Sequence, residues 1–120
     1  MSKKTLVMGA SNNPERYSYL AVNRLLGKGH EVVAIGKQGD EVAGVTIDHE
    51  PKEYEGVDTV TMYLNPTNQK QYYNFISDLK PNRVIFNPGA ENLEFEKMLQ
   101  SKGIKTQEAC TLVLLSTGQY

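Results

Sequence analysis

Lys4-Thr5-Leu6-Val7-Met8-Gly9-Ala10-Ser11-Asn12-Asn13-Pro14-Glu15-Arg16-Tyr17 is the stretch that decides the fold. Its apolar run stops at a glycine, a small polar loop follows, and a helical pattern opens at about Ser18. A glycine lets the backbone turn tightly there, and the free N–H groups at the start of a helix receive an anion. The pattern is that of a strand feeding a phosphate site.

Outward from that loop the chain alternates between the two periods. Ser18 to Lys28 reads as a helix, ended by Gly27 and Gly29, and Glu31 to Ile35 as a second strand. A glycine-rich loop through Gly36, Gly39 and Gly44 contains a short extended piece at Val45-Thr46-Ile47. Val57 to Leu64 is the third expected strand, and Asn65-Pro66-Thr67 caps a helix reaching about Leu79. Arg83 to Phe86 is a fourth strand, Glu91 to Lys102 a helix, and Ile104 to Gln107 a fifth strand. The tail from Cys110 to Leu115 fits either a helix turn or a strand. Strands alternating with helices imply a doubly wound parallel α/β sheet with helices on both faces, Rossmann-like. The expectation is one domain over residues 1–120, with five strands in the order 3-2-1-4-5. Ligands of such sheets bind beyond the carboxyl ends of the strands. Those ends carry Gly9-Ala10-Ser11, Gly36-Lys37-Gln38, Asn65-Pro66-Thr67 and Asn87-Pro88-Gly89.

The bulk properties exclude several classes. At 120 residues the chain can bury a core without disulfide or metal. A net charge of −1 argues against nucleic acid, and no apolar run is long enough to span a membrane. One cysteine allows no internal disulfide, so the expected compartment is the cytoplasm. His30, His49 and Cys110 lack metal-ligand spacing.

The ligand follows from what the fingerprint lacks. An NAD site needs Gly-x-Gly-x-x-Gly and an acid at the end of the second strand. Here only Gly9 of the three glycines is present, and the second strand ends in Gly36-Lys37, with no acid before Asp40. A lysine at that place favours a phosphate near the ribose, as in NADP or coenzyme A. No Gly-Lys-Ser/Thr follows the first strand, which argues against ATP hydrolysis.

Gly9-Ala10-Ser11-Asn12-Asn13-Pro14-Glu15-Arg16, then Tyr17-Ser18-Tyr19, then Gly39-Asp40-Glu41-Val42 with Gly44, resembles the small stand-alone CoA-binding proteins. Their fold is similar to the CoA-binding domain at the start of the succinyl-CoA synthetase α subunit. The resemblance covers nearly the whole chain and implies a site for coenzyme A or an acyl-CoA. Ser11, Asn12, Asn13 and Pro14, with Gly9 and Ala10 before them, would wrap the pyrophosphate and the start of pantetheine. Arg16 would add charge to a phosphate, and Tyr17 and Ser18 would open the helix. Lys37 would face the adenosine 3′-phosphate, Asn65, Pro66 and Thr67 would lie along the ligand, and Asn87-Pro88-Gly89 would close the far side. The family's lysine sits one position later than Lys37. The synthetase's second domain, with its phosphorylated histidine, has no counterpart here, so no ligase activity carries over.

Each of these residues also has a plain structural reading. Ser11 serves as a turn cap, Arg16 and Lys37 as solvated cations, and Pro66 as a helix N1 proline. Cys110 is either a small buried thiol or, as the resemblance implies, a partner for a mixed disulfide with CoA. No nucleophile, base and orienting group can be named together. The expected function is CoA binding without catalysis. The alternatives are a small NAD(P)-linked oxidoreductase or a ligand-free protein-interaction module of the same fold. A homo-oligomer is left open.

Overall fold

The computed structural model describes residues 2–120. In chain order the elements are β1 (Thr5–Met8), α1 (Tyr17–Gly27), β2 (Val32–Ile35), β3 (Glu41–Val42), β4 (Val45–Asp48) and β5 (Thr59–Met62). Then come α2 (Pro66–Gln69), a 3-10 turn (Lys70–Tyr72), α3 (Tyr73–Leu79), β6 (Arg83–Phe86), α4 (Leu93–Ser101), β7 (Lys105–Glu108) and α5 (Thr111–Ser116). The tail after β7, open in the sequence, is therefore helical.

One sheet of seven strands runs β3-β4-β2-β1-β5-β6-β7. All neighbours pair in parallel except β3 with β4. This corrects the expected five strands in the order 3-2-1-4-5. The strand expected third, β5, pairs with β1, Thr5 opposite Thr59. The place beyond β2 belongs to β4, with Ala34 opposite Ile47. The error came from reading the stretch around Gly44 as loop. Ala43 and Gly44 have φ of 50° and 82°. Two consecutive residues with positive φ make the tight hairpin turn whose twist matches its strands. That turn folds Glu41–Val42 back on β4.

Side-chain alternation along the strands divides the core in two. Leu6, Met8, Val60, Met62, Val84 and Phe86 face one side, where Ile76 of α3 and Phe95 and Leu99 of α4 cover them. Val7, Val32 and Ala34 face the other, under Val22 and Leu25 of α1 and Leu115 of α5. Helices thus lie on both faces, as expected. The fully buried Phe95 stacks on Tyr73 with ring centroids 4.2 Å apart and meets Phe86 edge-on. Burial of such a ring stabilises by about 2–3 kcal/mol. Among the described residues no helix is long and apolar enough to cross a membrane. Nor do any three His, Cys, Asp or Glu among them form a metal cluster.

Candidate functional site

The loops after β1, β2, β5 and β6 surround a cleft of about 650 Å³ at the carboxyl end of the sheet. β1 lies at its centre, where the chain turns to opposite sides of the sheet, which is the expected place for a ligand.

Backbone packing builds the floor. The N–H groups of Gly9 and Ala10 both donate to the carbonyl of Ile35, at 2.9 Å each. Gly9 has φ of 90°, and a Cβ there would stand 3.2 Å from Leu64. Gly36 is tighter still, since its Cβ would lie 2.0 Å from the carbonyl oxygen of Ala10. The loops after β1 and β2 then join through a bridge between Ser11 and Gln38. The Ser11 hydroxyl donates to Gln38 Oε1 at 3.2 Å and accepts the Asn13 N–H at 3.0 Å. It lines the cleft, but both its roles as donor and acceptor serve the loop.

Asn13 continues that loop, accepting the Glu15 N–H on its side chain and the Arg16 N–H on its carbonyl. Arg16 is the N-cap of α1, in extended conformation, with no side-chain cap and no acidic residue in the first turn. The first N–H groups of a helix have no helical acceptor, and the positive end of the dipole lies there. A guanidinium at this place adds to that positive field; the helix's first turn holds no acid, and Glu15, just ahead of it, is the acid that lines the cleft. Lys37, exposed at the end of β2, lines the same cleft.

The opposite wall is uncharged. Tyr63, Leu64, Asn65, Asn68, Gln71 and Tyr72 form it, from the loop after β5 through the 3-10 turn. Asn65 Oδ1 caps α2 by accepting the Asn68 N–H at 2.9 Å, and Pro66 stands at the helix start. Gln69, fully buried, braces this arm. Its amide donates to the carbonyls of Leu64 at 2.8 Å and Ala90 at 2.7 Å, and its oxygen accepts from Asn92. Tyr63 carries a buried hydroxyl without a hydrogen-bond partner among the described residues. Burial, and then the neighbouring Cys110, push its pKa upward.

Of the residues expected from the sequence, Gly9, Ala10, Ser11, Arg16, Tyr17, Ser18, Lys37 and Asn65 line the cleft. Asn12, Asn13, Pro14, Pro66 and Thr67 do not; Asn12 instead lies against Gly39, and Asn13 and Pro66 shape the backbone. Pro88 and Gly89 close the far side, but Asn87 turns inward. Its side chain donates to Thr61 Oγ1 and the Met62 carbonyl and accepts the Thr111 N–H. Cys110, partly exposed ahead of α5, stays outside the lining. Gln38, at an expected strand end, also lines the cleft, whereas sequence reading missed Tyr63, Asn68 and Gln71. Asn65, Asn68 and Gln71 recur every three residues, a spacing that could have revealed one polar face.

Comparisons with known proteins bear on the family and the fold. A family model described as a CoA binding domain matches residues 3–116. A crystal structure of an uncharacterized protein is 52% identical, covers 100% of this chain and 99% of its own, and superposes with a TM-score of 0.97. The cell-free ID.343 structure from Thermus thermophilus is 23% identical over 99% of this chain and 91% of its own, with a TM-score of 0.83. A hypothetical protein from Pyrococcus horikoshii OT3 is 21% identical over 97% and 83%, with a TM-score of 0.86. No curated protein matches the chain. The match of the family model over nearly the full length makes this chain a member of the CoA binding domain family.

Proposed function

We propose that the chain holds coenzyme A, free or acylated, in the cleft at the carboxyl end of the sheet, as a one-domain binding module and not as a catalyst. The observation that carries this reading is the pairing of Arg16 and Lys37 on one side of a cleft at the switch point, in a chain of this family. CoA presents a pyrophosphate and a ribose 3′-phosphate. Arg16 and the opening turn of α1 suit the first, and Lys37 suits the second. The close backbone contacts at Gly9 and Gly36 keep side chains out of the floor beneath them. No acid lines the end of β2, where an NAD site would hold the ribose hydroxyls. The lone thiol, Cys110, suits a reducing compartment such as the cytoplasm.

Thermal unfolding with CoA, acetyl-CoA, NADP, NAD and ATP tests the reading. A ligand that binds only the folded state raises Tm, by about 2.7 kcal/mol of added stability at a hundredfold excess over Kd. CoA or its thioester is expected to give the largest shift. Arg16→Ala should shrink that shift while leaving the ligand-free Tm near its original value, because the side chain is exposed. A clear response to NADP beside none to any CoA species would sink the proposal.

A further inference from the structure

The two sides of the cleft differ in kind. One side carries the cations Arg16 and Lys37, with Glu15 next to Arg16. The other carries a row of carboxamides, Asn65, Asn68 and Gln71, all exposed, beside Tyr63 and Tyr72. Lys70, a cation on the same arm, does not line the cleft.

From this difference we infer that Asn68 and Gln71 are specificity-determining residues, which read an uncharged, amide-bearing arm of the ligand and so separate it from a bare nucleotide. The inference rests on the CoA reading above and assigns the second half of that ligand to a particular wall.

The backbone explains why these two side chains act together. Helix α2 gives way at Lys70 to a 3-10 turn. Asn68 lies in α2 and Gln71 in the 3-10 turn that follows, and side chains three apart are neighbours on a helical surface. Asn68 and Gln71 therefore present neighbouring amide groups to the cleft, each with donors and an acceptor. The Asn68 backbone N–H is taken by Asn65, whereas neither side-chain amide has an intramolecular hydrogen-bond partner among the described residues. The support beneath them is rigid. Gln69 sits between them, fully buried, with its amide nitrogen shared by two carbonyls and its oxygen held by Asn92. The backbone that carries them is thus held before binding, and only the two side chains lose freedom when the ligand arrives. A ligand that ended in phosphates would leave this wall facing water. An arm with its own amide N–H and C=O groups would pair with it.

Calorimetric titration of the wild type and of the double variant Asn68→Ala, Gln71→Ala decides the matter. The ligands are CoA and adenosine 3′,5′-bisphosphate, which keeps the 3′-phosphate and the inner 5′-phosphate and lacks the amide arm. Asn65 is left intact because it caps α2. Both altered side chains are exposed, so the fold should persist, and an unchanged Tm verifies it. The wild type should bind CoA more tightly than the bisphosphate. The double variant should lose about tenfold on CoA, which corresponds to about 1.4 kcal/mol, and nothing on the bisphosphate. Equal losses on both ligands, or an unchanged affinity for CoA, would overturn this inference and leave the CoA reading standing. A wild type that binds neither ligand would overturn both.

Discussion

The two ends of the sheet are built by opposite means. At the amino end, side chains close the structure. The Tyr120 ring lies 5.0 Å from His30 and 4.6 Å from the Arg83 guanidinium, and its hydroxyl bonds Thr5 at 2.5 Å. Arg83 also reaches Thr59, and Asp58 is held by Thr59 and Asn82. At the carboxyl end, backbone meets backbone at Gly9, Ala10 and Gly36, and many side chains stay free. That end also keeps its conflicts: the orphaned Tyr63 hydroxyl, and a buried Glu96 whose pKa burial and then the neighbouring Glu108 push upward. The amino end is thus closed by paired side chains, whereas the unpartnered Tyr63 hydroxyl lies beside the cleft.

The largest effect expected from breaking this contrast is at Gly36. Gly36→Ala puts a Cβ 2.0 Å from the Ala10 carbonyl oxygen and 2.8 Å from its carbon. Both are backbone atoms between two strands, so no side chain can swing aside. The two loops must part, at more than about 3 kcal/mol, with Tm falling by about 10 °C or more. Ligand-induced stabilisation should shrink as well, because the same loops carry Ser11 and Lys37. A variant that melts like the wild type would show that the floor yields easily.

At the closed end Tyr120→Ala should cost about 2–4 kcal/mol by removing the ring between His30 and Arg83. Denaturant unfolding measures it. CoA affinity should stay the same, because Tyr120 lies at the other end of the strands. A matching loss of affinity would mean that the two ends are coupled, and the contrast would fail.

How much of this was legible in the sequence follows from where the forces are local. β1 with Gly9, the cap at Asn65 and the polar strand ends are local patterns, and most of the expected site residues do meet in one cleft. The hairpin at Ala43–Gly44 was hidden because its signal is a pair of positive φ angles, one of them on an alanine. Asn87 looked like a loop residue facing the ligand. Only the tertiary contacts reveal that Thr61, Met62 and Thr111 draw it inward. Gln69 was invisible for the same reason, since its acceptors at Leu64 and Ala90 come from two separate loops.

The smallest expected effect is at Glu96, on the open end of the sheet. This side chain is 6% exposed, and its carboxyl accepts the Asn92 N–H at 3.3 Å. Burial, and then the hydrogen bond with Glu108, raise its pKa above the ordinary value of 4.5. A raised carboxyl binds its proton more tightly in the folded state. Its contribution is therefore complete below about pH 4.5 and is lost as the pH climbs through the folded pKa. At neutral pH the protein thus bears the cost of two carboxyls facing each other. Glu96→Gln removes that cost without losing either contact. The amide oxygen can still accept the Asn92 N–H, and the amide nitrogen can donate to Glu108 without any proton to lose. The variant should gain on the order of 1 kcal/mol at pH 7 and nothing at pH 4. Urea unfolding at the two pH values measures the difference. An equal gain at both would mean that packing at Glu96, and not its charge, limits stability at the open end.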